Sequence, residues 1–350
     1  MRLNKLSSMI FAVAIVASAV AVQADQVTID LVPVGDAGNA ADSTGYGSVS
    51  YNYNIGTYEV TAGQYTAFLN AVAASSDDNA LYNVKMWEDP LYGCKIERSV
   101  LSNHYVYSVA SEYANRPVNY VSFGDAMRFT NWLQNGQPTG TQTNSTTEDG
   151  AYFVNGATSD ADLLAVNRKT DWKWAVTSEN EWYKAAYYDP NKSGMGVVGY
   201  WDYPTKSNTA PGRDMADPLG NNANCPLTDS PAFPFLTPID SPYYATEVGQ
   251  FQKSAGPYGT FDQGGNVWEW NESRWVNYQG KDVRGVRGGA FDDPQYGLHA
   301  NTRIGFASPS LEHFDMGFRV ASVPEPSTLA LLSVGIIGLL GFAWRRRKPA

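Results

Sequence analysis

The alternation of apolar and polar positions divides the chain into short strands and three well-marked helices. Strand-like text covers Val27 to Val34 and Ser48 to Tyr58. Thr61 is suited to cap a helix, and beyond it Tyr65, Phe68, Leu69 and Val72 recur at i, i+3, i+4 and i+7, which predicts one buried face. A second helix starts at Ser122, with Asp125 three residues on, aligns Ala126, Phe129, Thr130 and Leu133, and stops at Asn135-Gly136. The third starts at Thr177 or Ser178, sets Glu181 at capping-box spacing and buries Trp182, Ala185 and Ala186. An aromatic stripe at helical spacing is core, so none of the three is assigned chemistry.

The chain is organised around Asp262 to Trp270, DQGGNVWEW, which reads as a turn entering a buried strand. Gly264 and Gly265 permit positive φ or close approach of a neighbour. Trp268 and Trp270 then share one face of the strand, and Val267 and Glu269 the other. A carboxylate between two tryptophans needs a partner, because an unpaired charge is costly to bury. The partner is a hard cation held with Asp262 and turn carbonyls, an arginine, or backbone N–H groups.

Composition adds a loop-rich picture: 32 glycines, 19 prolines and 22 tyrosines in 350 residues, with 17% charged, favour turns around aromatic packing over long helices. From Gly136 to Arg168 the text shifts to Gly, Thr, Ser, Asn and Asp around a short apolar run, Ala151 to Val154. Residues 136–168 are therefore expected to form a surface insertion, either shaping a binding face or serving as a plain loop. The formal net charge is −10, and the part between the termini is more acidic still once Arg2, Lys5 and the C-terminal basic cluster are set aside. That balance argues against nucleic acid and anionic lipid as partners. The two cysteines, Cys94 and Cys225, either pair in an oxidising compartment or stay as buried thiols.

Both ends carry targeting text. Residues 1–24 have a basic lead, an apolar run and small residues before a cleavage point, the pattern of a signal peptide removed by signal peptidase. At the other end Pro324-Glu325-Pro326 precedes an apolar segment over about residues 327–344, closed by Arg345, Arg346, Arg347 and Lys348. At a rise of about 1.5 Å per residue this segment nearly spans a bilayer core and anchors the chain in the membrane. Residues 323–350 also resemble the PEP-CTERM sorting signal, which implies an exosortase-type protease as partner, delivery to the cell envelope or surface, and an association with exopolysaccharide.

GNVWEW together with RGVRGGAF (Arg284 to Phe291) and DMGFRVAS (Asp315 to Ser322) resembles the formylglycine-generating enzyme family, the sulfatase-modifying factor domains. Upstream, Tyr53 to Val72, Arg116 to Leu133 and Trp174 to Pro190 match in the family's order. The resemblance implies a single α+β domain over 25–322, C-type-lectin-like, with little regular secondary structure. It also implies structural calcium, with one site at Asp262, the carbonyls of Gly265 and Val267, and Glu269. A second would use Asn224, the Cys225 carbonyl, Asp240 and the Pro242 carbonyl.

The catalytic features are missing. The family's oxidases resemble copper enzymes with two cysteines five apart after the RGG block; here those positions hold Asp293 and Leu298. A carboxylate and a leucine do not suit Cu(I). His104, His299 and His313 have no metal-ligand spacing, so iron is not expected either, and G-x-S-x-G and Walker patterns are absent. Arg287, Arg303 and Arg319 lie near Asp292, Asp293 and Asp315 in sequence, as an anion clamp or as ion pairs. The resulting expectation is a non-catalytic exported module that binds a ligand, glycan or protein through residues such as Phe291 and Tyr296. The alternative is an oxidoreductase or other modifying enzyme rebuilt around Asp292, Asp293 and His299, with Arg303 at hand.

Overall fold

The computed structural model describes residues 26–227, 237–277 and 279–323. Both terminal signals, including Pro324, Glu325, Pro326, the expected membrane helix and Arg345, Arg346 and Arg347, lie outside the described residues. Among the described residues no helix is long and apolar enough to cross a membrane.

Local capping chemistry produces the three expected helices. Thr61 Oγ1 accepts from the Gln64 N–H while Gln64 bonds back to the Thr61 N–H, opening α1 (Ala62–Val72). Two short elements aside, α2 (Lys85–Glu88) and α4 (Asp160–Ala165), the others begin the same way. Ser122 with Asp125 opens α3 (Phe123–Gln134), and Ser178 with Glu181 opens α5 (Glu179–Tyr187). Each reciprocal box satisfies two orphan donors of the first turn.

The strands are β1 (Leu31–Val34), β2 (Tyr53–Gly56), β3 (Ile96–Leu101), β4 (His104–Val109), β5 (Trp174–Val176), β6 (Tyr188–Asp189) and β7 (Gly199–Tyr200). They continue with β8 (Trp268–Val276), β9 (Asp282–Arg287), β10 (Ile304–Ala307), β11 (Met316–Phe318) and β12 (Val320–Ser322). Two four-stranded sheets carry the fold, in the orders β1-β2-β12-β5 and β10-β9-β8-β11. The first is antiparallel throughout; in the second β11 runs parallel to β8, with Gly317 opposite Glu269. Arg319 is the single residue between β11 and β12, so it sits where the chain leaves one sheet for the other. The main core fills the space between these layers with Tyr65, Phe68, Phe129, Trp132, Trp270 and Phe318, in part as edge-to-face pairs such as Phe68–Phe129 and Phe129–Phe318.

The turn before β8 follows the sequence reading. Gly265 has φ +86 and lies so close to Asn224 that a Cβ would stand 2.3 Å from its carbonyl oxygen, while a Cβ on Gly264 would meet Pro204 at 2.7 Å. One glycine supplies the left-handed turn and both supply close approach.

The segment of residues 136–168, expected to form a surface insertion, is exposed over much of its length but is also built into the core. Its apolar run forms only isolated bridges rather than a strand, and Tyr152 and Leu163 join the core. It covers the polar side of α3, which is buried on nearly every side. The Arg128 guanidinium donates to both oxygens of Glu148, at 2.7 and 3.1 Å. Asn131 donates to the Thr147 and Tyr152 carbonyls and accepts from the Tyr152 N–H. A polar helix face therefore faces protein because the covering segment offers it partners. Asn131→Ala leaves three buried backbone groups unpaired and is expected to cost about 2 to 3 kcal/mol, read from a urea melt.

Candidate functional site

The candidate site lies where the turn after β9 meets the start of β11. Gly288 and Gly289 both adopt positive φ, +103 and +74, and a Cβ on Gly289 would stand 2.9 Å from Leu298. This tight turn carries Phe291, Asp292 and Asp293 back over β8, with the Phe291 N–H bonded to the Asn266 carbonyl. The parallel pairing of β11 brings the Asp315 carbonyl to the Trp268 N–H at 2.7 Å. The two placements gather Asp292, Asp293 and Asp315, with one oxygen of each within 4.8 Å of the others.

The trio has little to neutralise it. Trp268 Nε1 donates to Asp293 Oδ2 at 2.6 Å, the Ala290 N–H donates to the same oxygen, and His313 Nδ1 pairs with Asp315. Asp292 Oδ1 is buried without a hydrogen-bond partner among the described residues. Burial, then repulsion from Asp315 and Asp293, pushes the Asp292 carboxyl up to about 7. Burial also raises Asp293, to about 6, with the Trp268 N–H opposing. The hydrogen bond to Asp315 raises the His313 imidazole.

Beside the acids is a cleft of about 240 Å³ with Asp293, His313 and Asp315 at its polar end and Trp268, Leu311 and Met316 among its apolar walls. Next to the trio is a layer of stacked rings: Tyr92 lies 4.6 Å from Phe314 and 5.7 Å from Phe291, and Tyr244 packs edge-on to Tyr92.

The other predicted residues fall elsewhere. Phe291 is buried as part of this ring layer and so is not an exposed contact residue, whereas Tyr296 is 63% exposed. His299 is not with the acids: its ring packs against Tyr203 and its Nδ1 accepts from the Asn301 N–H. His313 takes its place. The arginines form ion pairs rather than a clamp, but with glutamates rather than the nearby aspartates. Arg287 Nε lies 2.6 Å from Glu179 and Arg303 reaches the same carboxylate at 3.3 Å. Asp315 and His313 were missed as site residues, since no spacing ties them to Asp292 and Asp293.

Leu298 is fully buried and packs with Cys225 and Ala223. Cys225 thus lies beside Leu298, one of the two positions at which the family resemblance implies a thiolate, a meeting that sequence separation hid. Both cysteines are free. Burial pushes the Cys225 thiol up to about 12 and that of Cys94 up to about 11, so neither is a ready thiolate.

The family description is "Sulfatase-modifying factor enzyme 1-like domain", and its profile matches residues 25–323. The chain belongs to this family. A PEP-CTERM protein-sorting motif matches residues 322–348 of this sulfatase-modifying-factor-like protein, which supports export, sorting to the surface or envelope, and processing by an exosortase. Among curated proteins nothing matches. Solved structures similar to it include CarF, 18% identical over 85% of this chain and 99% of that one, TM-score 0.46. Variable protein 1 of Treponema denticola is 18% identical over 86% and 98%, TM-score 0.49. PvdO of Pseudomonas aeruginosa is 16% identical over 84% and 92%, TM-score 0.40.

The implied calcium sets fit unequally. At the second, Asp240 pairs with Arg116 at 2.8 Å, and the Asn224 amide donates to the Tyr244 carbonyl and to Asn266. The negative charge a cation would need is already answered there, so that set does not fit. At the first, Glu269 turns to Arg319, whose Nη2 and Nε lie 2.8 and 3.0 Å from its oxygens, and to Trp182 Nε1 at 2.7 Å. The arginine partner is the one realised. Asp262 accepts from the Gly249 N–H at 2.6 Å, and burial raises its carboxyl to about 6. Glu59 is buried nearby with neither oxygen hydrogen-bonded among the described residues, and Arg319 Nη2 stands 3.8 Å from Oε2. Burial, then repulsion from Asp262, raises the Glu59 carboxyl well above the usual carboxylate range, and Glu269 is balanced by Arg319, so the charge a divalent cation here would answer is that of Asp262.

Proposed function

We propose that this sulfatase-modifying-factor-like protein is an exported binding module whose cleft receives an ammonium group on an apolar stem, as presented by a lysine side chain of a surface protein. The observation that carries this reading is that Asp293 and Asp315, two of the three gathered carboxylates, line a cleft with apolar walls, with Asp292 beside them. The carboxylates supply charge complementary to an amine, and Trp268, Leu311 and Met316 supply contact for methylenes. At about 240 Å³ the cleft is smaller than the roughly 300 to 1,000 Å³ of drug-sized pockets, which suits one side chain.

The test is a calorimetric titration of the protein with Nα-acetyl-lysine amide and with its norleucine counterpart. The lysine compound is expected to bind with a Kd of about 1 mM or tighter and the uncharged one not to saturate. Binding is expected to strengthen from pH 5 to pH 8, because Asp293 and Asp292 lose their protons near 6 and 7. Equal binding of both compounds, or none at pH 8, overturns the reading.

The same reading includes one structural calcium ion held by Asp262 with the carbonyls of Gly265 and Val267, tying the turn to the core. Removing it with a chelator is expected to lower the melting temperature by several degrees, since binding energy to the folded state alone adds to stability. A modifying-enzyme reading keeps one support, an Asp292 carboxyl that exchanges its proton near neutrality. Oxygen uptake with cysteine-containing peptides would reveal it.

A further inference from the structure

Residues 136–168 do more than cover α3: together with Asp78 and Asn79 they line an open trough of about 700 Å³. Its lining holds four side-chain amides, two carboxylates and two hydroxyls, with no lysine, arginine or large apolar side chain among the described residues that form it. The floor is fixed by hydrogen bonds. Glu148, 5% exposed, accepts from Arg128 Nε at 2.7 Å, from Asn79 Nδ2 at 3.1 Å and from the Gly156 N–H at 2.7 Å. Gln142, 8% exposed, accepts from the Asn79 N–H at 3.0 Å and donates to Asp77 at 3.1 Å. Asp78, Asn144 and Asn155 are exposed, and their side chains have no hydrogen-bond partner among the described residues. A second hollow, of about 410 Å³, adjoins the first at the Asn155–Gly156 turn, which both share, and adds Phe153, 51% exposed.

We propose that this trough binds a neutral oligosaccharide, with Asp78, Asn144 and Asn155 meeting its hydroxyls and Phe153 receiving the apolar face of a neighbouring sugar ring. A sugar hydroxyl both donates and accepts, and a primary amide offers an acceptor and two donors on one planar frame, so a row of amides matches a row of hydroxyls. The aromatic ring beside the polar trough supplies a flat apolar surface for the C–H bonds of the sugar. An acidic glycan or a phosphate is disfavoured, because the Arg128 guanidinium under the floor is spent on Glu148 and the Ala157 carbonyl, and Asp78 repels an anion. A peptide would need apolar anchors or a free strand edge, and the lining supplies neither. The volume falls within the roughly 300 to 1,000 Å³ of ligand sites. The trough shares no lining residue with the acidic cleft, so the proposal stands independently of the lysine reading.

The experiment is a calorimetric titration of the full chain with maltohexaose, cellohexaose and mannohexaose, and with hexagalacturonate as the charged counterpart. At least one neutral hexasaccharide is expected to saturate with a Kd of about 1 mM or tighter, and the charged one not to bind. Asn155→Gly removes an amide at a residue whose φ of +48 glycine adopts freely, so the turn is kept. It is expected to weaken binding about tenfold, the loss of well-placed hydrogen bonds. Asn144→Ala and Phe153→Ala, both at exposed positions, are expected to weaken binding while leaving the thermal melt of the protein in place. Failure of every neutral hexasaccharide to bind, or equal binding of hexagalacturonate, overturns the proposal. Full affinity in all three variants overturns it as well, since the sugar would then sit elsewhere.

Discussion

Arg319→Met is expected to unfold the domain or bring it to the edge of unfolding. The guanidinium is fully buried at the joint between the two sheets, where it bonds Glu269 through Nε and Nη2, the Gly56 carbonyl through Nη1 and the Phe261 carbonyl through Nη2. Methionine fills much of the volume but removes the charge opposite Glu269 and leaves two carbonyls without a donor. Breaking a buried pair from one side costs about 3 to 5 kcal/mol, and domains are stable by only about 5 to 15 kcal/mol. Urea denaturation followed by circular dichroism would show the loss. Adding Glu269→Gln should restore part of it, because the cost lies mostly in the stranded charge. An Arg319→Met protein that melts with the unaltered chain would remove Arg319 from this central place.

The second large effect has the opposite sign. Asp292→Asn with Asp293→Asn is expected to stabilise the protein at pH 8 while ending its binding of the lysine compound. Both carboxyls have folded-state values, about 7 and about 6, above the roughly 3.9 of an unfolded aspartate. The folded protein therefore holds protons that the unfolded chain has released, and stability falls as pH rises through roughly 4 to 7. His313, raised by Asp315, adds in the same direction, since its contribution is present at low pH and lost as the pH passes its folded value. Above that window the acids are charged and mutually repelling, and the asparagine pair removes the repulsion. Partial solvent access screens the effect, so a gain of about 1 to 3 kcal/mol is expected at pH 8, with almost none at pH 4. Thermal melts across pH 4 to 8 would read this. A destabilised variant at pH 8, or one that still binds the lysine compound, would count against a strained acidic cleft. Stability given up at a binding site is a recurring trade in natural proteins.

The site was half legible. Asp292 and Asp293 follow the RGG turn in sequence, and that the positions where the resemblance implies cysteines hold Asp293 and Leu298 was visible from the sequence alone. Asp315 and His313 were not, because they arrive through the parallel pairing of β11 with β8, which depends on how the chain returns. His299 is closer in sequence to the acids than His313, yet the turn at Gln295–Leu298 carries it away to Tyr203. Proximity along the chain was the wrong guide there.

By itself the sequence determined what its own near neighbours could settle. Ser122 with Asp125 and Ser178 with Glu181 mark helix starts because a side chain three residues on reaches back to the capping backbone. Gly264 and Gly265 mark the turn because only the absence of a Cβ allows that approach. The need of Glu269 for a partner was equally plain. Which partner it took was decided by the tertiary structure, through Arg319 fifty residues on and Trp182 from α5. The same holds for the polar face of α3 buried under residues 136–168, and for Cys225 beside Leu298. These are meetings of residues remote in the chain, fixed by sheet register and by the path of long loops. Local propensity carries no information about either, so only the folded chain could show them.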